Sequence, residues 1–187
     1  KIVGVVQHRP EAMVNKETET GGIEIVPESA EVLSEAQTPP FSLDTDGREI
    51  GEEARLKYRY LDLRRQRLQR NIKIRSDFVD NVRQFLFKKG FIEIETPILS
   101  KTTPEGSRDF VVPSRFQAGK FYALPQSPQQ YKQLLMVGGF EKYFQTARCF
   151  RDEDLRADRG FEHTQMDMEV SFVNQEEFMV LDEDMMT

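Results

Sequence analysis

The run from Tyr143 to Phe172, YFQTARCFRDEDLRADRGFEHTQMDMEVSF, holds the densest set of residues able to do chemistry. Arg151 is followed two residues later by Glu153. If the backbone stays extended there, both side chains project toward the row Gln165, Asp167, Glu169. A guanidinium held on a sheet by carboxylates is a preorganised anion site, and its planar donors suit a phosphate or a carboxylate. The same spacing also fits a surface hairpin with ordinary cross-strand ion pairs, which are individually weak. A second set lies in QSPQQYKQLLM, where Gln129 and Lys132 are three residues apart and share a helix face. A lysine beside glutamines at a helix start can receive a carboxylate, although the bare pattern is not specific. A third candidate, Glu105, sits inside KTTPEGS, where a lone loop glutamate reads by itself as solvated.

The elements that must hold these residues follow from periodicity. Thr164, Met166, Met168, Val170 and Phe172 alternate with His163, Gln165, Asp167, Glu169 and Ser171, which predicts a strand with one apolar and one polar face. Tyr143 to Arg151 is its antiparallel partner, and the charged loop Asp152 to Gly160 joins them. Pro128 opens a helix running to about Val137, stopped by Gly138-Gly139, with Tyr131, Leu134 and Leu135 on its packing side. Residues 55–90 carry the clearest helix, striped by Ile74, Phe78, Val82 and Phe85 or Leu86 and ended by Gly90. FIEIETPIL is a strand broken at Pro97, and Phe121 to Leu124 another. Residues 1–36 read as the remnant of a small β domain: KIVGVVQHRP is a strand, IEIV is a second one stopped by Pro27, and Ser29 to Ala36 is one short helix or strand-like piece. Residues 37–55, with Pro39-Pro40 and the turn-like Asp44 to Gly47, form a linker before a larger domain over 56–187.

Composition limits the function classes. The 187 residues are 38% hydrophobic and 31% charged, enough for one modest core or a core plus part of another domain. The net charge of -6 argues against indiscriminate nucleic-acid binding. Arg55 to Arg75 nevertheless carries nine Lys or Arg against one acid, Asp62, and could meet RNA phosphates or be a solvated helix face. One cysteine, Cys149, allows no internal disulfide and fits a reduced, cytosolic setting, and two histidines, His8 and His163, argue against a zinc site. No apolar run approaches the roughly 20 residues of a membrane helix. The opening Lys1-Ile2-Val3 reads as mid-strand and the closing FMVLDEDMMT as mid-helix, so a piece cut at both ends is expected.

FRDEDLRADR, followed by E-x-T-Q and D-x-E-x-S-F, closely resembles motif 2 of the class II aminoacyl-tRNA synthetases, in the wording of the bacterial-type aspartyl branch. RYLDLRR, Arg59 to Arg65, also occurs in the aspartyl, asparaginyl and lysyl subgroup. TPEGSRDF and QSPQQYKQLLM resemble that branch's mobile loop and amino-acid-binding segment. The resemblance implies an α+β fold: an antiparallel-sheet catalytic core with motifs 1 and 2, preceded by the tail of an OB-fold barrel. It implies a ligase that activates L-aspartate with ATP and Mg²⁺ and transfers it to the 3′ end of tRNA(Asp), with tRNA(Asn) left open as a second acceptor. By the same resemblance, Arg151 grips the α-phosphate and the substrate carboxylate, Asp152 and Glu153 serve ATP, Glu153 also as a metal ligand, and His163 is the adenine platform. Glu105 would hold the substrate ammonium, Ser127 lies nearby, Gln129 orients the substrate and Lys132 reads its side-chain carboxylate. His163 stands where the family has Phe, and Gly160-Phe161 where Gln-Pro is usual. The long helix, strand and proline over 70–97 resemble motif 1 and imply a homodimer. No glycine-rich third motif occurs before Thr187, so this stretch alone is expected to be inactive. The rival readings are an asparaginyl- or lysyl-tRNA synthetase, or a non-catalytic dimerisation or RNA-binding module.

Overall fold

Chain pairing in the first part begins with β1 (Ile2–His8) and β2 (Ile23–Ala30), an antiparallel pair whose apolar side chains Ile2, Val5, Val6, Ile23 and Ile25 are exposed. A computed structural model describes residues 1–103 and 105–187; Pro104, inside the TPEGSRDF run, lies outside the described residues. The chain divides into two compact units, Lys1–Arg70 and Asn71–Thr187. Within the first, Pro27 does not stop the strand as expected. Val3 pairs with Ser29 and Gly4 with Pro27, leaving Glu28 as an extra residue. A bulge tolerates a proline that a regular ladder would not. Gly4 is required opposite it, because a Cβ there would lie 2.1 Å from the Val26 carbonyl oxygen.

The basic helix is not continuous either. It is cut into α1 (Glu52–Lys57), α2 (Arg59–Asp62) and α3 (Gln66–Lys88). The break places Asp62 and Arg65, both fully buried, against the linker. Arg65 Nε donates to Asp62 Oδ1 at 2.9 Å, and its other nitrogens donate to the Thr45 carbonyl (2.8 Å) and the Ser42 carbonyl (2.7 Å). The guanidinium also lies 5.3 Å from the Phe41 ring centre. Gly47, at φ 77°, turns the chain around this group; a Cβ there would meet Arg65 Nε at 2.5 Å.

The second unit is organised by β6 (Lys142–Phe150) and β7 (Glu162–Val170), antiparallel from Lys142↔Val170 to Phe150↔Glu162. β3 (Ile92–Glu93) adds to β6 in parallel, so the sheet is mixed, in the order β3-β6-β7. Strict alternation on β6 and β7 sends Phe144, Met166, Met168 and Val170 to one face, where Val82, Leu86 and Phe91 close the core with Leu181 and Met185 of α5 (Gln175–Met186). Asn174 caps α5, its side chain accepting from Glu177 N while the Glu177 side chain accepts from Asn174 N. The other face is covered by α4 (Gln129–Val137). α4 starts after Pro128 and ends before Gly138-Gly139, as its residues dictate, yet Leu134 points outward. A short pair, β4 (Val111–Pro113) and β5 (Phe121–Ala123), carries the loop before α4. Three apolar residues depart from expectation. Ile74 and Phe78 lie exposed while Val82 and Leu86 of the same stripe are buried, and Phe172 leaves the strand at φ 61°, almost fully exposed.

Asp62→Ala strands a buried guanidinium and is expected to cost about 3–5 kcal/mol in urea denaturation. Arg59→Ala removes only the partly exposed partner of the same carboxylate and should cost about 1 kcal/mol or less.

Candidate active site

The polar face of the hairpin is a floor under α4, and its residues come in facing pairs. Tyr143 opposes Glu169, Gln145 opposes Asp167, Ala147 opposes Gln165 and Cys149 opposes His163. A polar face can be buried only if its groups find partners. Lys132, from α4, supplies the central one: its Nζ donates to Asp167 Oδ1 at 2.9 Å, reaches Glu169 Oε2 at 3.3 Å and makes a longer contact with the Met168 carbonyl at 3.4 Å. The Lys132 side chain is 11% exposed. Burial pulls its ammonium down, but the hydrogen bonds and charges of Asp167 and Glu169 outweigh burial, so its pKa stands above the ordinary 10.5. Asp167 Oδ2 is buried with no hydrogen-bond partner among the described residues, an acceptor left for a donor from outside. Gln145 Oε1 gathers Tyr143 OH (2.9 Å), Thr96 Oγ1 (2.9 Å) and Thr96 N (3.2 Å), tying the floor to the chain after β3.

At the far end of the floor stands Arg151, half-buried, its backbone N–H on the Phe161 carbonyl at 2.8 Å. It forms no ion pair within 4.0 Å among the described residues, so its donors are open. Burial pushes the Cys149 thiol up; the Arg151 charge opposes this, and Asp167 and Glu105 add to it. This one thiol thus feels Arg151 and Asp167 of the hairpin and Glu105 of the loop. His163 is half-buried and lies across from Cys149 on the same floor.

Glu105 approaches from the loop, where Ser127 Oγ donates to Glu105 Oε2 at 2.7 Å. Ser127 Oγ also accepts from Gln129 N at 3.3 Å, fixing the first turn of α4 to the same point. The same loop reaches the two carboxylates after β6. Ser107 Oγ donates to Glu153 Oε1, and Arg108 pairs with Asp152 through the backbone (Asp152 N to Arg108 O, 3.0 Å) and through its guanidinium (3.4 Å). A cleft of about 500 Å³ opens between Gly106, Ser107, Asp152, Glu153 and Arg156. The Ser107 hydrogen bond, then the charges of Arg151, Arg159 and Arg156, lower the Glu153 pKa. Glu153 therefore presents an ionised, exposed carboxylate. Among the described residues no group of three or more His, Cys, Asp or Glu side chains is placed to hold a metal ion. A larger cleft, about 770 Å³, lies in the first unit between Thr18, Asp46 and Arg67 and contains none of the candidate residues.

The structure therefore joins Glu105 with Ser127, Ser127 with Gln129, and Glu153 and Asp152 with the loop. It joins Lys132 not with an empty pocket but with Asp167 and Glu169. Sequence reasoning named Asp167 only as part of a polar row, and missed Gln126, Gln145 and Ser107. The readable signal was the period-2 polar row facing a helix lysine. Gln126 and Ser107 left no comparable mark, since they meet each other across 19 positions and Ser107 meets Glu153 across 46, with no periodic pattern between them.

A family profile described as tRNA synthetases class II (D, K and N) matches residues 51–187. The aspartate–tRNA(Asp/Asn) ligase of Syntrophomonas wolfei subsp. wolfei is 59% identical over 185 residues, which is 99% of this chain and 31% of that protein. The aspartate–tRNA ligase of Bacillus licheniformis is 57% identical over 185 residues, again 99% and 31%. The chain thus spans about a third of the length of the curated relatives it matches. The crystal structure of asparaginyl-tRNA synthetase from Pyrococcus horikoshii, complexed with asparaginyl-adenylate, superposes with a TM-score of 0.79 at 24% identity, covering 98% of this chain and 40% of that one; it shares the fold. No described helix is long and apolar enough to cross a membrane.

Because the folded Lys132 pKa is raised, the stability it contributes is complete below the unfolded value of about 10.5 and is lost as pH rises through the folded value. Lys132→Met should therefore melt below the parent protein at neutral pH, with the gap narrowing only above about pH 10.5.

Proposed function

We propose that this chain, which belongs to the class II tRNA synthetases (D, K and N), carries the aspartate site and part of the ATP site of an aspartate–tRNA ligase. The reading rests on one observation above the others. A lysine whose side chain is 11% exposed is held by Asp167 and Glu169 on the same floor that ends at the open guanidinium of Arg151. In this reading the side-chain carboxylate of aspartate takes the Lys132 donor now given to the Met168 carbonyl, the longest of its three contacts. The substrate ammonium meets Glu105, with Ser127 beside it and Gln129 orienting the substrate. Arg151 then sits at the α-carboxylate and the α-phosphate of ATP.

Activation forms a bond from a carboxylate oxygen of aspartate to the α-phosphorus and breaks the bond from that phosphorus to pyrophosphate. No side chain attacks, so the protein's contribution is orientation and neutralisation of the charge that grows on the α-phosphate. A hydroxyl at the 3′ end of tRNA then takes the aspartyl group and AMP leaves. Asp152 and Glu153 would bind ATP directly or hold Mg²⁺, which fits hard, ionised oxygen ligands and would neutralise phosphate charge when bound. His163, in place of Phe, offers an imidazole face to adenine. Relatives of nearly equal identity are named aspartate–tRNA ligase and aspartate–tRNA(Asp/Asn) ligase, so tRNA(Asn) is included as a second acceptor.

The apolar faces left bare support two further parts of the reading. Exposed Ile74, Phe78 and Ile92 suit a second copy of the chain packing along 70–97. The β1–β2 pair, apolar yet exposed on its own, suits the end of an OB-fold barrel over residues 1–36, with 37–55 as hinge. A cytosolic setting accords with the single buried thiol.

In the full-length protein, Lys132→Ala should raise the KM for aspartate in ATP–pyrophosphate exchange by about 100-fold or more, with the KM for ATP within about threefold. Equal losses for both substrates would contradict the assignment. Arg151→Ala should lower kcat by about 10²–10³.

A further inference from the structure

We propose that Gln126 is a positioning residue, the latch that holds the Glu105 loop over the aspartate end of the floor; the role rests on the functional reading above. Gln126 is 1% exposed, and its whole amide is spent on one loop. Its Oε1 accepts from Ser107 N at 3.2 Å, while its Nε2 donates to the Ser107 carbonyl at 2.8 Å and to Asp109 Oδ1. A side-chain amide here exchanges two hydrogen bonds with one residue's backbone, as a paired residue does in an antiparallel ladder. No other side chain of this length supplies both polarities: glutamate lacks the donor and methionine lacks both. The neighbour, Ser127, holds Glu105 Oε2. Two adjacent residues thus fix the loop at positions 105, 107 and 109.

The loop is shaped to meet this latch. Gly106 has φ 93° with nothing within 4 Å of a Cβ, so its backbone conformation, not space, calls for glycine. The far side of the loop rests on Glu153 and Asp152. A buried amide that loses its partners carries the full desolvation cost of its polar atoms. That cost favours the closed loop before any substrate arrives, and Glu105 is preorganised. Gln126 does not touch substrate in this scheme. It acts through Glu105, and its removal should appear in the affinity for aspartate.

The test uses Gln126→Glu, Gln126→Met and Gly106→Ala in the full-length protein, with thermal melting, amide exchange over 105–109 and aspartate-dependent ATP–pyrophosphate exchange. The expected result is amide exchange at Ser107 faster by about tenfold or more and a KM for aspartate higher by about tenfold, each equivalent to about 1.4 kcal/mol. The KM for ATP and kcat should stay within about threefold, since the interaction lost is not made at the phosphate. Adding Asp109→Asn to Gln126→Glu exchanges amide and carboxylate and should recover part of the aspartate affinity. Gly106→Ala, on an exposed loop, carries the test if the Gln126 variants do not fold. Unchanged loop exchange in the Gln126 variants would overturn the latch, and equal rises in both KM values would reduce Gln126 to a structural residue. Faster loop exchange in a protein whose parent shows no aspartate-dependent exchange would sink the functional reading, and the positioning role with it, separately from the latch.

Discussion

The ion pair between Lys132 and Asp167 is what allows a polar sheet face to lie under a helix. Gln145, Asp167 and Tyr143 are buried on β6 and β7, yet none is apolar enough to be there without compensation. The α4 lysine brings a cation to two carboxylates, and Gln145 collects three donors, so the layer closes without expelling its charge. On the opposite face the ordinary hydrophobic rule applies, with Phe144 and the β7 methionines packed on α3 and α5. One hairpin is therefore covered twice, once by apolar area and once by charge pairing. The charge-paired layer is the one suited to bind a small zwitterion, because its partners are strong, directional and exchangeable with a ligand's own groups.

Much of the second unit could be read from residue order. The alternation of β7, the proline start and glycine stop of α4, and the apolar residues of the final helix are local signals, and the elements stand where they point. What escaped was long-range. Lys132 meets Asp167 across 35 positions, and Gln126 meets Ser107 across 19. No period or cap encodes such a meeting; it depends on how the layers stack. In the first unit, Pro27 read as a stop because a regular strand would reject it, but the glycine opposite and the extra Glu28 make a bulge that accepts it. The basic stretch read as one helix because its propensity is high throughout. The buried Asp62–Arg65 pair instead turns the chain toward the linker.

The candidate residues were legible mainly through resemblance rather than from spacing. Glu105 and Ser127 look like ordinary loop residues until the fold brings them to 2.7 Å. Lys132 differs in the other direction. Its sequence context suggested a cation waiting for a carboxylate, and the structure supplies that cation with two. Under the proposed reading, binding of a further carboxylate would be an exchange of partners rather than the filling of a vacancy, and discrimination would depend on how firmly Asp167 and Glu169 hold the ammonium in place.

The single-residue alternation along β6 has a wider consequence. Tyr143, Gln145 and Cys149 look one way while Phe144 looks the other, so neighbouring codons answer to unrelated demands. Repacking of the hydrocarbon layer and retuning of ligand preference can therefore proceed side by side along one strand during divergence. Shifting the frame of pairing by one step would exchange both sets at once, which makes the alignment of the two strands the most conservative property of this architecture.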